Sequence, residues 1–147
     1  MKILAIANAG GHFIQLLRLK PALEGNQLFF MSSKQTFSEL VPDHVYYFVP
    51  DSNRKNKIKL ITGFLSVLKI VVKLRPDIVI TTGAALGLMG LIVGKLCNAK
   101  TIWVDSIANA EEISLSGKLA SKFTDRCYTQ WPELTDSKFI FEGNVLS

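Results

Sequence analysis

The sequence predicts an α/β fold, a Rossmann-like parallel sheet with helices on both faces, and three observations predict it. Apolar runs of strand length alternate along the chain with stretches of helical periodicity. The runs are apolar throughout instead of alternating with polar residues, which is typical of strands buried on both faces. Each run ends in a small or polar residue, as strands do where an open sheet meets a ligand.

The first predicted unit is a strand at 2–7 followed by a helix. Phe13, Leu16, Leu17 and Lys20 fall at helical spacing, so the inner face of this helix is mostly apolar. Pro21 and Gly25 are expected to end or bend it. Further strands are predicted at 27–31, 44–49 and 77–83, with a polar loop at 50–57.

The stretch 58–74 predicts a helix that is apolar around most of its circumference. Its polar residues form one narrow stripe, and such a helix is expected to bury more than one side. The stripe consists of Lys59, Thr62, Ser66, Lys69 and Lys73.

The second half of the chain repeats the alternation. A helix at 84–97 carries glycines at 83, 87, 90 and 94, a helical spacing that lets it lie close to a sheet. The remaining predictions are strands at 100–106, 126–130 and 138–143 and a short helix at 113–123.

Composition narrows the class of protein. The 147 residues are expected to form a single Rossmann-like domain over 1–147, and 48% hydrophobic content excludes disorder. A formal net charge of +5 favours anionic partners, although the basic cluster at 54–59 also suits an ordinary solvated face. Cys97 and Cys127 lack metal-ligand spacing and are expected to be buried free thiols. No apolar run reaches the roughly 20 residues needed to span a bilayer.

The turn after the first strand reads Gly10-Gly11-His12. Two glycines allow a ligand to approach the backbone, and the helix that follows offers unpaired N–H groups to an anion. The turn matches neither GxGxxG nor GxxxxGK[ST], so neither a nicotinamide dehydrogenase nor a P-loop enzyme is indicated. His12 has two interpretations: a residue that packs or caps the turn, or a general base or phosphate donor.

The predicted strand ends place polar residues on one edge of the sheet. Asp105 can be a base or a helix cap, and Ser114 and Ser116 can cap a helix or bind a sugar or phosphate. Trp131 can contact a subunit or shield the sheet. The strand ends expected to gather there are 8–12, 32–33, 82–83, 105–106 and 130–131.

Four stretches carry a resemblance to a known family: NAGGH at 8–12, TTGAALGLMGLIVGKL at 81–96, VDSIANAEEISLSGKLASKFTDRCYTQWPEL at 104–134 and FEGNV at 141–145. The sequence resembles the acceptor-binding, membrane-anchoring subunit of the two-part UDP-N-acetylglucosamine transferase of asparagine-linked glycosylation. It is similar above all to bacterial relatives in capsule and exopolysaccharide synthesis. A more distant likeness is to the N-terminal half of the transferase that makes the lipid-linked peptidoglycan disaccharide.

The resemblance implies the N-terminal half of a GT-B glycosyltransferase. In the split family, one chain holds the lipid-diphosphate-linked sugar acceptor at the membrane and a separate chain binds the UDP-sugar. This chain is then expected to bind no cofactor or metal, to contact no nucleic acid, and to be inactive without its partner. It would lie in the cytoplasm, peripheral on the inner face of the membrane.

The resemblance also implies roles for individual residues. His12 would be the base that takes the proton of the attacking hydroxyl, with Asp105 as its rival. Acceptor or phosphate binding is expected at Asn8, Gly10, Gly11, Thr82, Gly83, Ser106, Ser114, Ser116 and Gly117. Membrane contact is expected at Arg54, Lys55, Lys57, Lys59, Phe64 and Lys69, and partner contact at Gln130, Trp131 and Asn144.

One feature of the sequence bears on membrane attachment. Eukaryotic members of the family carry an N-terminal anchor, whereas this sequence begins with a strand, so attachment is expected through 54–74 or the partner. Two alternatives stay open: a self-contained oligomeric protein that binds nucleotide-sugars, and a non-catalytic scaffold that recruits a transferase to the membrane.

Overall fold

A computed structural model describes residues 1–51 and 55–146 and contains one seven-stranded sheet, parallel throughout. The spatial order is β3-β2-β1-β4-β5-β6-β7. The fold class predicted from the sequence is therefore confirmed. The strands are β1 Lys2–Ile6, β2 Gln27–Ser32, β3 Val45–Phe48, β4 Ile78–Thr81, β5 Lys100–Val104, β6 Arg126–Thr129 and β7 Phe139–Phe141.

Four α-helices connect the strands, and their positions follow the predicted periodicity. Pro21 lies inside the first helix instead of ending it, because a proline in the last turn interrupts little of the hydrogen-bonding pattern. Two 3-10 helices, Gln35–Leu40 and Pro132–Leu134, were not predicted. The α-helices are α1 Gly11–Leu23, α2 Lys57–Leu74, α3 Ala84–Leu96 and α4 Leu115–Ala120.

The strand order reverses direction between β1 and β4. From β1 the chain builds outward through β2 and β3, and it then returns to place β4 on the other side of β1. Ligands of open parallel sheets bind beyond the carboxyl ends of the strands at such a switch. The residues that follow β1 and β4 therefore lie at the place where this fold class offers a binding site.

Two hydrophobic clusters cover the two faces of the sheet. Alternate residues of β1 point to opposite faces, so Leu4 and Ile6 belong to one cluster and Ile3 and Ala5 to the other. The first cluster contains residues of α2, α3 and α4, and the second contains Phe13 of α1. The sheet is buried from both sides, which explains the uniformly apolar strands.

Glycines let α3 lie against the sheet, as the sequence predicts. A Cβ atom at Gly87 would stand 2.0 Å from Thr81 Oγ1, and one at Gly90 would stand 2.2 Å from Ile6 Cδ1. Neither distance is compatible with a side chain at these positions. The close approach holds the N-terminus of α3 directly behind the carboxyl end of β4.

Helix α2 begins at a side-chain cap, because Asn56 Oδ1 accepts hydrogen bonds from the backbone N–H groups of Ile58 and Lys59, both 3.2 Å. The helix buries Gly63, Val67, Val71 and Leu74 against the first cluster. The prediction that it buries more than one side is not met by packing within this chain and stays a prediction for contact with another surface. An apolar stripe stays exposed instead, formed by Ile58, Ile61, Leu65 and Val72.

The two cysteines differ from each other. Cys127 is buried in β6 as predicted, and burial, with the nearby Asp105 carboxyl, raises its thiol pKa to about 11. Cys97 is exposed because it follows the last residue of α3 instead of lying within it. Among the described residues, no helix combines the length and apolarity that crossing a bilayer requires.

Candidate active site

A cavity of about 270 Å³ lies where β1, β4 and β5 end. The prediction that the polar ends of several strands gather at one edge is confirmed here. Seven of the predicted site residues line the cavity, although their chemical roles stay predictions. The lining residues are His12, Thr82, Gly83, Ala84, Trp103, Asp105, Ser106, Ala108, Asn109, Ser114 and Ser116.

His12 and Thr82 hold each other across the switch between β1 and β4. His12 Nδ1 lies 3.1 Å from the Thr82 carbonyl oxygen, and Thr82 Oγ1 donates to the His12 carbonyl at 2.5 Å. A carbonyl oxygen can only accept, so the proton of this pair sits on Nδ1. In the neutral ring, Nε2 then carries a free lone pair and can accept a proton. His12 is half-buried, so the ring is held without being sealed off.

Gly83 makes room for the imidazole. A Cβ atom at this position would lie 3.0 Å from His12 Nδ1, and the backbone φ is +127°, a conformation that side chains disfavour. Ala84, the next residue, also has a positive φ of 68°. The turn from β4 into α3 is thus shaped around the histidine.

Asp105 is a structural anchor of the cavity wall. Its carboxylate accepts hydrogen bonds from Trp103 Nε1 (2.9 Å), Asn109 Nδ2 (3.2 Å), the Ser114 backbone N–H (3.0 Å) and Ser114 Oγ (2.6 Å). The residue is only 2% exposed. Because both oxygens are engaged, the geometry favours His12 over Asp105 as the group that takes a proton.

The predicted phosphate-binding residues nearest the N-terminus, Asn8, Gly10 and Gly11, do not line the cavity. Asn8 is occupied, because its Oδ1 accepts from the Leu86 N–H and its Nδ2 donates to Asp51, both at 3.0 Å. Gly10 and Gly11 are exposed, and a Cβ atom at either would meet nothing within 4 Å. The glycine turn therefore leaves the N-terminus of α1 open to an incoming group.

Two of the predicted acceptor-binding serines have defined partners. Ser114 is the N-cap of α4, and its Oγ accepts from the Gly117 N–H at 2.9 Å. Ser106 is 8% exposed and accepts from Gln15 Nε2 at 3.0 Å. Gly117 does not line the cavity, because it packs against Asp105, where a Cβ atom would stand 2.7 Å from Oδ1. Its predicted contact with the acceptor is corrected to a packing role.

The predicted partner contacts divide into two kinds. Gln130 is 2% exposed and its amide bonds within the chain, so the structure contradicts its assignment as a contact residue. Trp131 is half-buried and donates to the Ile107 carbonyl at 2.8 Å, and its contact with a partner stays a prediction. Asn144 is half-buried near the end of the chain.

The predicted membrane residues lie on or before α2. Lys55, Lys57, Lys59 and Lys69 are exposed, as membrane contact would require. Phe64 is half-buried, because its ring packs partly against the first core cluster, and its contact with a membrane stays a prediction. The assignment of Arg54 falls outside the described residues.

Sequence reasoning missed three residues that build the site. Trp103 and Asn109 bond Asp105, and Gln15 bonds the loop at 106–107. Gln15 carried no local signal, because it lies off the spacing of Phe13, Leu16 and Leu17, and its neighbour Ile14 is 44% exposed. Trp103 carried none, because apolar strand residues look alike in sequence.

The arrangement places a possible proton acceptor near an open helix N-terminus. His12 Nε2 can take a proton, and the open α1 N-terminus can receive a phosphate. Among residues 1–51 and 55–146, no three His, Cys, Asp or Glu side chains are grouped to hold a metal ion.

Comparison with known protein families identifies the family of this chain. The model of the family described as "Oligosaccharide biosynthesis protein Alg14 like" matches residues 48–143. This chain belongs to that family. The predicted resemblance is therefore confirmed, and the match includes β4, β5 and β6 with the cavity loops between them.

Relatives with assigned names agree with the family. The UDP-N-acetylglucosamine transferase subunit ALG14 of Rattus norvegicus is 26% identical over 98% of this chain and 82% of its own length. The corresponding subunit of Schizosaccharomyces pombe is 36% identical over 40% of this chain and 30% of its own length.

Solved structures confirm the fold. MurG of Acinetobacter baumannii superposes with a TM-score of 0.78 at 15% identity, and UDP-GlcNAc 2-epimerase of Methanocaldococcus jannaschii with a TM-score of 0.69 at 16% identity. This chain covers 45% and 46% of those two chains, so it spans less than half of each. The fold is that of the N-terminal Rossmann-like half of a GT-B glycosyltransferase.

Proposed function

We propose that this chain is the acceptor-binding subunit of a two-chain glycosyltransferase in lipid-linked oligosaccharide or polysaccharide synthesis, including capsule and exopolysaccharide. A separate chain brings the UDP-sugar. Two findings support this: the chain belongs to a family whose named relatives are UDP-N-acetylglucosamine transferase subunits, and it has the fold of one half of a two-domain enzyme.

One observation supports a chemical role for this chain: the Thr82 carbonyl orients the His12 ring beside an open cavity. In the proposed reaction, Nε2 takes the proton of the acceptor hydroxyl. The freed oxygen forms a bond to the anomeric carbon of the sugar while the bond from that carbon to UDP breaks. The electron pair of the broken bond leaves with UDP, so no oxidant or metal is needed to balance the step.

The acceptor diphosphate is proposed to lie at the open N-terminus of α1, beside Gly10 and Gly11. Backbone N–H groups and the helix dipole favour negative charge there. The sugar hydroxyl would then reach into the cavity, whose rim carries Ser106, Ser116 and Asn109.

Membrane contact is proposed for α2. Its exposed stripe presents Ile58 and Leu65, 74% and 55% exposed, next to a row that includes Lys59, Lys69 and Lys73. A helix with an apolar stripe beside a basic row can lie in a membrane interface and attract anionic headgroups. The chain would thus sit peripherally on the inner face of the membrane, where a lipid-linked acceptor is found.

The test is reconstitution. The purified chain alone, the donor-binding chain alone and the co-expressed pair are compared for sugar transfer from UDP-sugar to a lipid-diphosphate acceptor. We expect turnover only from the pair. Full turnover by this chain alone, or tight binding of UDP to it, would favour a self-contained nucleotide-sugar protein. If His12→Ala does not reduce the turnover of the pair, the result would favour a non-catalytic scaffold that recruits a transferase to the membrane.

A further inference from the structure

Two buried glutamines link the loop of the candidate site to a distant part of the chain. Gln15 on α1 and Gln130 after β6 are 9% and 2% exposed. Gln130 Nε2 donates to Gln15 Oε1 at 2.9 Å and to the Asp105 carbonyl at 2.8 Å. Gln15 Oε1 also accepts the Ile107 N–H at 2.9 Å, and Gln15 Nε2 donates to Ser106 Oγ at 3.0 Å. The pair therefore holds the start of the loop at 105–109.

The other end of the same amide reaches the C-terminal segment at 143–146. Gln130 Oε1 accepts the Val145 N–H at 3.0 Å. The Val145 carbonyl accepts from Arg18 Nη1 on α1 at 3.1 Å. The segment is thus tied to the protein through both the backbone N–H and the backbone carbonyl of Val145.

The chemistry of an amide makes this link directional. Gln130 has two N–H donors and one carbonyl, and the donors serve the loop while the carbonyl serves the segment. Rotating the amide by half a turn would face N–H against the Val145 N–H and carbonyl against the Asp105 carbonyl. Because an unpaired buried polar group costs about 1–3 kcal/mol, the amide can satisfy all partners only when loop and segment are both in place.

We infer that Gln130 is a positioning residue that couples the C-terminal segment to the acceptor-contacting loop. Displacement of Val145 releases the Gln130 carbonyl, loosens its amide, and frees the loop whose Ser106, Ala108 and Asn109 line the cavity. Whatever holds or moves the segment thereby sets how well the acceptor binds. The link to acceptor binding rests on the proposed function, but the coupling itself is a property of this chain.

The coupling is tested by amide hydrogen exchange on the full chain. Val145→Pro removes the N–H that Gln130 Oε1 accepts and keeps an apolar side chain at this half-buried position. Leu146→Pro is the matched control, because it removes the neighbouring N–H, which bonds only locally to Asn144 Oδ1. We expect Val145→Pro to speed exchange of the Ile107 amide about tenfold, and Leu146→Pro to leave it within about twofold of wild type.

A double-mutant cycle with Gln130→Ala shows whether the glutamine is the link. If it is, adding Val145→Pro to Gln130→Ala produces no further increase in loop exchange. The inference would be overturned if the two substitutions increased the exchange rate independently, so that their effects multiplied in the double variant. Unchanged Ile107 exchange in Val145→Pro would also overturn it. If Gln130→Ala does not fold, the comparison of the two proline variants decides alone.

A kinetic measurement separates this inference from the proposed function. In the reconstituted pair, Val145→Pro should raise KM for the acceptor about tenfold while kcat and KM for the UDP-sugar stay unchanged. General destabilisation would lower kcat by reducing the active fraction. Altered loop exchange in a pair that never transfers sugar would contradict the proposed function alone. Active enzyme with an unchanged acceptor KM would contradict the role of Gln130 in acceptor binding.

Discussion

His12 and Thr82 form a reciprocal pair: the imidazole Nδ1 meets the Thr82 carbonyl at 3.1 Å, and the Thr82 hydroxyl donates to the His12 carbonyl at 2.5 Å. The two residues are 70 positions apart and follow adjacent strands. The pair explains why an imidazole stands at a turn that needs only glycines: the neighbouring strand sets its tautomer and orientation.

Replacing His12 should abolish sugar transfer without unfolding the chain. His12→Ala in the reconstituted pair is expected to lower kcat about 100-fold or more, because it removes the proposed base. His44→Ala is the matched control, since His44 precedes β3 at the opposite edge of the sheet. Equal turnover in both variants would remove His12 from the reaction.

Gly83→Ala should displace the imidazole. The new Cβ would lie 3.0 Å from His12 Nδ1 at a backbone φ of +127°. We expect loss of the Nδ1-protonated signal in imidazole nitrogen NMR and a fall in turnover. Gly25→Ala is the control for strain alone, because its φ is +90° and nothing lies within 4 Å of its Cβ position. Wild-type imidazole signals in Gly83→Ala would contradict the packing argument.

Asp105→Ala should destabilise the fold. The change leaves the Trp103 indole N–H and the donors of Asn109 and Ser114 without their acceptor, and we expect a loss of about 3 kcal/mol or more in the free energy of unfolding. Asp51→Asn, which alters an exposed carboxylate, should change it by less than about 0.5 kcal/mol. Urea unfolding measures both. An unchanged stability with lost turnover would instead make Asp105 the base.

Asp125 should contribute stability that disappears in acid. Hydrogen bonding from Lys95, with further bonds from the Thr101 N–H and hydroxyl, lowers the Asp125 pKa from 3.8 to about 2. Because the folded pKa is the lower one, the contribution is complete above about pH 4 and is lost as the pH falls towards 2. The stability difference between wild type and Asp125→Asn should therefore shrink over that interval.

Lys95→Met provides the companion measurement, because Lys95 is the largest cause of the shift. It should raise the Asp125 pKa and move the loss of stability to higher pH. Urea midpoints recorded from about pH 6 to about pH 2 test both variants. A difference between wild type and Asp125→Asn that stays constant down to pH 2 would contradict this assignment.

The exposed stripe of α2 should bind anionic membranes. Leu65→Glu is expected to weaken partitioning into phosphatidylglycerol vesicles about tenfold or more, since a buried leucine contributes roughly 1.5–3 kcal/mol. Leu40→Glu is the control: Leu40 is 46% exposed and lies in the 3-10 helix that packs on the other face of the sheet. Equal vesicle binding by the two variants would remove α2 from the membrane interface.

The fold and the approximate site could be predicted from sequence because the signals are local. Uniformly apolar strands such as Lys2–Ile6, the glycine spacing of α3 and the polar strand ends all depend on a few neighbouring residues. Family membership could also be predicted from the sequence, because the 104–134 stretch lies within the part of the chain that the family model matches.

The differences between prediction and structure arose where long-range contacts determine the surroundings of a side chain. The resemblance assigned Gln130 to partner contact and Gly117 to the acceptor, yet Gln130 is buried in an amide network and Gly117 packs on Asp105. For Phe64, helix α2 is apolar on nearly every side in sequence, and only packing against the core shows that this ring is half-buried.

The sequence by itself thus determined the alternating architecture, the family and the edge of the sheet at which the polar strand ends gather, because periodicity and strand-end composition are properties of neighbouring residues. Only the tertiary structure decided the imidazole tautomer, the anchoring role of Asp105 and the link from Val145 to the loop. Those depend on hydrogen bonds between residues up to 115 positions apart, and no local pattern records which distant partner a buried polar atom will find.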